Sequence, residues 1–346
     1  MVKASIIVLT YNQLVNATIP CIESIYGNTN SDQFELIVVD NNSSDGTAEY
    51  LESIKPKYDN LKLILNKSNR GYAGGNNDGL KIAKGDFVIL LNNDTLVTPK
   101  WLSNLLSPFE KDSAVGLVGP VTNNSQNEQC LALNGINPVN YETLSQAYTS
   151  KNSGLWFETS RLIFFCVAIK KEVTEKIGLL DEKFKRGFYE DDDYCVRVRK
   201  AGYKLAIAED SFVYHHCGLT FTNAFENFEF AELLATNKKL FSKKHKTYSI
   251  QSDRVHNFVK KIEKDLEQYK NENENIDRNI ERILLRLEKL NWQIEEAKLS
   301  ESYLIKKYRG VFLSSVFRVI KDNVKFLRKF EYFQRNFFKK LKKKKN

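Results

Sequence analysis

The N-terminal part of the chain alternates short β-branched runs with helical patterns, and this alternation limits the choice of fold more than any other feature. Apolar runs typical of buried strands lie at residues 5–9, 34–39, 61–65, 87–91 and 115–121. Helical patterns separate them. This order predicts an α/β fold with a mostly parallel sheet flanked by helices in three layers.

Polar clusters follow three of these predicted strands. They read TYN at 10–12, DNNSSDG at 40–46 and NNDT at 92–95. Ligands of parallel sheets bind beyond the carboxyl ends of the strands. One such cluster is most often a plain turn, but three at the same edge favour a nucleotide pocket. The glycine-rich stretch 69–79 does not match the Walker pattern, and it follows the third strand instead of the first, where a dinucleotide fingerprint usually lies.

Asp94 stands in a short acidic turn after the fourth strand. A diphosphate-bound Mg²⁺ or Mn²⁺ takes one or two carboxylate ligands and fills its other positions with phosphate and water. Asp94 is therefore a candidate metal ligand, with a turn aspartate that caps the segment at Pro99 as the alternative. His215 and His216 follow a strand predicted at 212–214, a position that favours a metal or phosphate contact.

Four consecutive acids open the stretch FYEDDDYCVRVRKAGY at 188–203. The pattern after them predicts a short helix that ends at Gly202. Free N–H groups and the helix dipole stabilise negative charge at a helix start. An ordinary acidic helix start is thus the alternative to a catalytic site here.

The middle of the chain and its cysteines give weaker signals. The segment 122–154 is rich in Asn, Ser and Gln, which predicts a mobile or acceptor-facing loop, and 155–169 returns to sheet. The five cysteines are odd in number and form no CxxC pair, which favours a reducing compartment, the cytoplasm. The longest apolar run, 162–169, is too short to span a bilayer.

The C-terminal third has a different composition from the rest. Apolar residues at 4-3 spacing between 255 and 297 predict a coiled coil and a homo-oligomer, with Asn273 fixing its register. A long amphipathic helix packed on its own domain is the alternative. The predicted domains are 1–248, an α/β domain; 249–300, a coiled-coil helix; and 301–346, a basic amphipathic tail.

The excess of 52 Lys and Arg over 43 Asp and Glu lies in this tail. The remainder of the chain is slightly acidic, so nucleic-acid binding by the main domain is not indicated. Aromatic and basic residues together predict a tail that lies on an anionic membrane. A patch for single-stranded nucleic acid is the rival interpretation.

Seven ordered motifs resemble those of family 2 glycosyltransferases. They are TYN, VVDNNSSDGT, NRGYAGGNNDGL, LLNNDT, GLLDEKF, FYEDDDYCVRVRKAGY and FVYHH, spread over roughly residues 3–230. The pattern is similar to the bacterial rhamnosyltransferase-like and galactofuranosyltransferase-like branch. This resemblance implies a GT-A (Rossmann-like) fold and inverting transfer of a sugar from a UDP- or dTDP-sugar donor.

The resemblance also implies a set of donor-binding residues. Those expected to line the nucleotide base and ribose are Thr10, Tyr11, Asn12, Asp40 and Asn42. Those expected at the ribose and diphosphate are Arg70, Gly75 and Asn76, with Asn93 also among the donor contacts. Asp94 matches the metal-binding carboxylate, and His215 matches a histidine that completes the metal site, with His216 as the alternative. Asn92 stands where many relatives carry an aspartate, which leaves one charge fewer.

Glu190 and Asp191 match the family's catalytic acid pair, and the aspartate is expected to act as base. Inverting transfer needs a carboxylate that takes the acceptor proton on the face opposite the diphosphate. Neighbouring acids raise the pKa of such a base toward its working range. We predict a helix-start role for Asp192 and an ion pair between Asp193 and Arg197.

The sequence therefore predicts an inverting transferase on the inner face of the cell membrane that extends a lipid-linked bacterial surface glycan. Two alternatives remain at this point. Asn92 permits a transferase-like subunit that has lost activity and serves as a scaffold. A nucleotidyltransferase would need basic residues in a glycine-rich loop after the first strand, and these are missing here.

Overall fold

The computed structural model describes residues 3–125, 127–131, 133, 135–216 and 227–245, with the side chains of 227, 228 and 230 left aside. These residues belong to one compact unit, Met1–Tyr248. The strands are β1 (Ala4–Thr10), β2 (Phe34–Asp40), β3 (Leu61–Leu65), β4 (Phe87–Asn92), β5 (Thr95–Val97), β6 (Val115–Val121), β7 (Trp156–Thr159), β8 (Cys166–Lys170) and β9 (Lys204–His215). The helices are α1 (Ile19–Asn28), α2 (Thr47–Ile54), α3 (Gly71–Ile82), α4 (Trp101–Lys111), α5 (Tyr141–Lys151), α6 (Lys171–Ile177), α7 (Glu190–Lys200) and α8 (Asn227–Lys244).

The described strands form one sheet in the order β3-β2-β1-β4-β8-β6-β9-β5, with β7 paired to β9. The pairs β1–β2, β1–β4, β2–β3 and β6–β9 are parallel, whereas β4–β8, β6–β8, β5–β9 and β7–β9 are antiparallel. The prediction of a mostly parallel sheet is therefore wrong in this respect. β8 enters between β4 and β6 in the opposite direction, and such a long-range pairing leaves no mark in the local sequence pattern.

Helices cover both faces of the sheet, as a three-layer architecture requires. Leu51 of α2 and Trp101 of α4 are fully buried in one core, together with the side chains of α1. Ala73 of α3, Val173 of α6 and Tyr194 of α7 are buried in the other. The two faces of the sheet are thus both apolar, which explains the nearly continuous burial of β1, β2 and β6.

Three elements depart from the sequence-based expectations. The polar segment 122–154 contains a helix, α5, instead of being only a loop. The turn after Asp94 leads into β5, and the predicted strand at 212–214 is the end of the much longer β9. The proposed coiled coil at 249–300 and the basic tail at 301–346 lie outside the described residues. Across the described ranges, every helix is too short or too polar to pass through a bilayer.

The first residue of α3 packs directly on the backbone that precedes α7. Gly71 has φ +70°, and a Cβ atom placed there would lie 2.1 Å from the carbonyl oxygen of Lys185. Side chains in this left-handed conformation are strained even where there is space. The glycine therefore allows α3 to approach the loop that carries the acidic helix.

We expect Gly71→Ala to lower the free energy of unfolding by at least about 2 kcal/mol, because the new Cβ collides with backbone that has no room to shift. Denaturant unfolding of the purified chain measures this change. Gly27→Ala is the matched control, since its Cβ meets nothing within 4 Å. Equal stability of the two variants would show that the contact with Lys185 is not tight.

Candidate active site

The carboxyl ends of β1 and β2 lie side by side, with Thr10 in register with Asp40. Thr10 has no exposed surface, and its hydroxyl oxygen lies 2.6 Å from that of Thr18. The side-chain amide of Asn93 donates to both hydroxyls, at 3.3 and 3.2 Å. Thr10 was expected to line the nucleotide; its buried position instead makes it the residue that orients Asn93.

The loops after β1 and β2 are locked together by asparagine and serine side chains. Asn12 accepts a hydrogen bond from the backbone N–H of Ser44 at 2.8 Å and donates its own N–H to the Ser43 hydroxyl at 2.8 Å. Asp40 accepts from the N–H of Ser43 at 3.1 Å and from its hydroxyl. Asn12 and Asn42 both have positive φ, which asparagine tolerates better than most residues. A rigid rim results.

This rim presents some of the predicted donor residues and hides others. Asn42 is exposed and Tyr11 is half-buried, so both are open to a ligand. Asp40 is only 2% exposed, and its carboxylate closes the turn after β2. Asn41, which the sequence analysis did not single out, is equally buried and donates to the carbonyl of Gly71 at 3.0 Å. It thus ties the end of β2 to the start of α3.

The predicted diphosphate contacts on α3 have packing partners of their own. Arg70 forms ion pairs with Asp78 and Glu182. The side-chain amide of Asn76 donates to the carbonyl of Tyr72 in the same helix at 2.9 Å, and Asn76 is 1% exposed. Gly75 is also buried, because a Cβ there would lie 2.3 Å from Leu9. Gly75 and Asn76 therefore pack inside the protein, and a contact of Arg70 with the donor stays a prediction.

Asp94 and His215 meet where the turn after β4 faces the end of β9. His215 Nε2 lies 3.4 Å from Asp94 Oδ1, and both side chains are nearly buried. The antiparallel β5–β9 pair produces this approach, because Thr95 is in register with His215. His216 is oriented differently: its ring packs edge-on against Tyr214, and its backbone N–H donates to the Asp94 carbonyl, at 3.0 Å.

The Asp94–His215 pair fits a divalent cation. His215 Nδ1 lies 3.2 Å from the carbonyl oxygen of Asn124, an acceptor, which leaves Nε2, on the side of Asp94, as the ring nitrogen that could bind a cation. The ring is held flat against Phe165 at 5.0 Å. Two ligands of an octahedral ion lie roughly 3 Å apart. The described residues contain no cluster of three or more acidic, histidine or cysteine ligands, so other ligands would come from the diphosphate and water.

The four acids of α7 are all buried, but two of them have strong cationic partners. Asp192 forms a two-point ion pair with Arg161, a residue from the loop after β7. Asp193 is fully buried and pairs with Arg197 at 2.8 Å, as the sequence analysis predicted. Burial without a partner would be costly for either charge. These two carboxylates therefore stabilise the structure around the other two.

Asp191 and Glu190 have no such ion pair in the described part of the chain. The Asp191 carboxylate accepts the backbone N–H of Asp192, at 2.7 Å. Burial, with the nearby charge of Asp192, raises the pKa of Asp191 to about 7, although Arg161 opposes this shift. Burial and the charge of Asp191 raise the pKa of Glu190 as well. One aspartate is thus poised to exchange a proton near neutral pH.

Tyr72 connects the acidic helix with the Asp94 turn, and the sequence analysis missed it. Its hydroxyl donates to the carbonyl of Phe164 at 2.5 Å. Burial and the charges of Glu190, Asp191 and Asp94 together raise the pKa of this hydroxyl. All three carboxylates therefore lie near this hydroxyl, and we refer to the region between them as the cleft.

The segment at Phe164 and Phe165 holds both sides of this cleft. Phe164 packs edge-on against Tyr194 of α7, with ring centroids 6.1 Å apart. Phe165 stacks on His215, and its carbonyl accepts the N–H of Asn92 at 2.8 Å. The distance between the acidic helix and the metal-ligand pair is thereby set by packed rings and backbone hydrogen bonds.

We expect Asp192→Asn to move the acidic limb of the pH–rate profile to lower pH by at least about half a unit. The Asp192 charge raises the pKa of Asp191, and its removal leaves the opposing Arg161 charge in place. Asp191 then stays ionised at lower pH. Initial rates between pH 5 and 9 measure the limb. Asp210→Asn, a buried aspartate of β9 bonded to the N–H of Gly154, is the control that leaves the profile unchanged; an unmoved limb in Asp192→Asn would contradict the coupling.

The family model described as Glycosyl transferase family 2 matches residues 5–178, about half of the chain. The chain belongs to glycosyl transferase family 2. Amylovoran biosynthesis glycosyltransferase AmsB of Erwinia amylovora is 26% identical over 226 residues, which are 62% of this chain and 70% of AmsB. Among the first curated relatives, the matched part of this chain spans 24% to 64% of their length.

Solved structures of other glycosyltransferases have the same fold as this family 2 chain. GalNAc-T7 with UDP, GalNAc and Mn²⁺ has a TM-score of 0.56 at 15% identity, covering 90% of this chain and 58% of its own. S. aureus TarS 1-349 in complex with UDP-GlcNAc has a TM-score of 0.51 at 15% identity, with 85% and 81% covered. The GT-A-like fold predicted from the sequence is confirmed, with a mixed sheet.

The family match includes Asp94 but ends before the acidic helix and β9. The roles of Glu190, Asp191 and His215, which the resemblance implies, therefore stay predictions. Arg161 and Tyr72 were not predicted, because their roles depend on contacts between distant parts of the chain. The only local signal for Tyr72 is its place inside the motif NRGYAGGNNDGL.

Proposed function

We propose that this glycosyl transferase family 2 chain moves a sugar from a nucleotide diphosphate donor to a hydroxyl of a growing bacterial surface glycan, with inversion. The observation that carries the proposal is the grouping of Glu190, Asp191 and Asp94 near the Tyr72 hydroxyl, with His215 3.4 Å from Asp94. The UDP in GalNAc-T7, the UDP-GlcNAc in TarS and the biosynthetic role in AmsB's name support a nucleotide-sugar donor and a glycan product.

The reaction is a single in-line displacement. Asp191 accepts the proton of the acceptor hydroxyl while that oxygen forms a bond to the anomeric carbon. The bond from this carbon to the diphosphate oxygen breaks, and its electron pair leaves with the diphosphate. A base with a pKa of about 7 is about half ionised at neutral pH and still basic enough to hold the proton. Glu190 beside it has a raised pKa and, when uncharged, does not repel Asp191.

Asp94 and His215 would hold Mg²⁺ or Mn²⁺, as the Mn²⁺ in GalNAc-T7 supports. When bound, such a cation would neutralise the negative charge that develops on the diphosphate. Asn93 is fixed beside Asp94 through Thr10 and Thr18, so that its backbone and Asp94 keep their direction toward the donor. Asn92, which replaces an aspartate of many relatives, contributes its backbone to this turn.

A donor screen tests the proposed activity. The full chain is incubated with UDP-, dTDP- and GDP-sugars, dTDP-rhamnose first, with Mg²⁺ or Mn²⁺, and release of the nucleoside diphosphate is measured. We expect release with one nucleotide class, stimulated by the metal and absent in Asp191→Asn. If the chain bound a donor but released no nucleoside diphosphate, with or without an acceptor, the result would favour the alternative. That alternative is an inactive subunit that serves as a scaffold in a glycan assembly complex.

We also propose that the chain is a homo-oligomer through residues 249–300 and lies on the inner face of the cell membrane through residues 301–346, where a lipid-linked acceptor is located. The heptad pattern and the basic aromatic composition support these two proposals. Sedimentation with anionic vesicles, compared with neutral vesicles, tests the membrane contact. Light scattering tests the oligomer, and a mass equal to one chain would contradict it.

A further inference from the structure

Helix α8 packs against the segment that carries the candidate base, although it lies beyond the family match. Four residues make these contacts, three in α8 and one directly after it. Their spacing of i, i+4, i+7 and i+8 places them on one helix face. They are Asn237, Phe241, Lys244 and His245. Each of them contacts residues between 181 and 193. We refer to residues 184–189, which lead into α7, as the base loop.

Asn237 gathers three carbonyl groups of the base loop. Its side-chain nitrogen donates to the carbonyl oxygens of Phe184 at 2.8 Å, Gly187 at 2.7 Å and Phe188 at 3.2 Å. Asn237 is 1% exposed. The amide nitrogen has two hydrogens, so at least one of them is shared between two of the three carbonyl oxygens. This buried amide replaces the water that these carbonyls would otherwise bind.

The base loop has a conformation that needs such support. Lys185, Phe188 and Tyr189 have φ of 58°, 72° and 73°, a region that residues other than glycine rarely adopt. Two of these residues come directly before Glu190. The ring of Tyr189 packs on Phe241 of α8, with centroids 5.5 Å apart. The surroundings over-determine the backbone here, and this backbone sets the direction of Asp191.

His245 and Lys244 hold the other end of the same segment. His245 Nε2 donates to Asp193 Oδ1 at 2.7 Å, and Lys244 Nζ lies 2.7 Å from the same oxygen. Lys244 also reaches Asp181 at 2.6 Å. The backbone N–H of Asp193 in turn donates to the carbonyl of Tyr189 at 2.9 Å. The first turn of α7 is therefore fixed from α8 on both sides of Asp191.

We propose that Asn237 and His245 are positioning residues of the transferase, which hold the base loop and the first turn of α7 so that Asp191 points into the cleft. The inference rests on the proposed function, since it assigns these contacts to the placement of the base. A role in folding alone would change stability without a selective effect on turnover. Displacement of a catalytic group by about 1 Å lowers a rate by about 10²-fold, so a small shift of the loop has a measurable effect.

Asn237→Asp tests the amide, because it keeps the size of the side chain and removes both N–H donors. We expect kcat of the full chain to fall about 10- to 100-fold, with the donor KM and the metal requirement unchanged, since the donor contacts lie on other loops. Asn60→Asp is the matched control: that amide also donates to main-chain carbonyls, of Ser31 and Phe34, at the opposite end of the strands. The control is expected to keep its kcat.

His245→Gln and His245→Phe form a second, independent pair. Glutamine can place an N–H donor near the position of Nε2, whereas phenylalanine keeps the ring shape and loses the donor to Asp193. We expect His245→Gln to keep most of the wild-type kcat and His245→Phe to lose at least about tenfold. Equal rates in these two variants, or a change in KM instead of kcat, would overturn the proposal.

Hydrogen exchange separates this inference from the proposed function. Amides of residues 184–193 are expected to exchange faster in Asn237→Asp than in wild type, while those of β1 and β2 are unchanged. This result does not depend on any substrate. If the wild-type chain turns over no donor, the proposed function fails. The exchange measurement still tests whether Asn237 holds residues 184–193 in place. Unchanged exchange in 184–193 together with an unchanged kcat would show that α8 does not position the base.

Discussion

Asp191→Asn is expected to lower kcat by a factor of about 10² to 10⁴ and, at the same time, to raise the melting temperature. The rate falls because an amide does not accept the acceptor proton. The stability rises because the folded pKa of Asp191, about 7, lies above its ordinary value of 3.8. When folding raises the pKa of a carboxylic acid, the free energy of unfolding falls as the pH increases from the unfolded pKa to the folded one. Nearly all of this loss of stability is therefore present at pH 8.

The increase in stability should be at least about 1 kcal/mol at pH 8, or a few degrees in melting temperature. It should shrink as the pH falls toward 4, where Asp191 is protonated in the folded protein as well. Asp59→Asn, the same change at an exposed aspartate, is the control for both measurements. Turnover that survives in Asp191→Asn would remove the assignment of the base. A lower melting temperature would show that its carboxylate has a stabilising partner.

This opposition of rate and stability distinguishes Asp191 from the two acids that follow it. Asp192 pairs with Arg161, and Asp193 pairs with Arg197 and Lys244, so removal of either carboxylate takes away the partner of a largely buried cation. Breaking one side of a buried ion pair typically costs about 3–5 kcal/mol. Among these three aspartates, only Asp191 combines burial with the absence of an ion pair in the described part of the chain.

The strands and the positions of the site residues at their ends were predictable from the sequence. The predicted strand at 115–121 has the same bounds as β6, and 61–65 the same bounds as β3. The β6 run is buried along its whole length, because helices cover both sides of the sheet, so burial and local pattern agree there. The clusters at 10–12, 40–46 and 92–95 follow β1, β2 and β4, whose ends are adjacent in the sheet.

The remaining features depend on pairings between distant segments. β5 has only three residues and exists because it pairs with β9, which brings Asp94 to His215. The antiparallel insertion of β8 likewise places Phe164 and Phe165 between the two sides of the cleft. The hydrophobic periodicity of a single sequence indicates the type of each helix or strand, but it does not show which distant segment pairs with it.

The partners of the acidic helix also include one that local spacing predicts and others that it does not. Arg197 lies one turn from Asp193 in the same helix, so their pairing was predictable from spacing. Arg161 and His245 reach the same helix from positions 31 and 52 residues away from their partners. Asn237 and Phe241 of α8 and His245, directly after it, do stand at four-residue spacing in the sequence. This spacing indicates a helix face, but nothing local says what that face contacts.

Asp94→Asn is expected to weaken metal-dependent binding of the donor by at least about tenfold and to lower kcat/KM by about 10² or more. The amide keeps the shape of the side chain but removes the negative charge beside His215. Titration of a nucleoside diphosphate into the full chain measures binding, once with Mg²⁺ or Mn²⁺ and once with EDTA. The variant and the wild type should bind equally in EDTA, because the difference between them lies in the cation.

Two neighbouring histidines complete this test. His215→Gln should lose metal-dependent affinity in the same direction, since its Nε2 faces Asp94 at 3.4 Å. His216→Gln should bind the donor as wild type does, because its ring packs edge-on against Tyr214 and its backbone N–H, which the change keeps, bonds to the Asp94 carbonyl. If Asp94→Asn lost the same affinity in EDTA, the carboxylate would act on the donor directly and the metal assignment would fall. A loss in His216→Gln with none in His215→Gln would place the second ligand one residue later, beyond the end of β9.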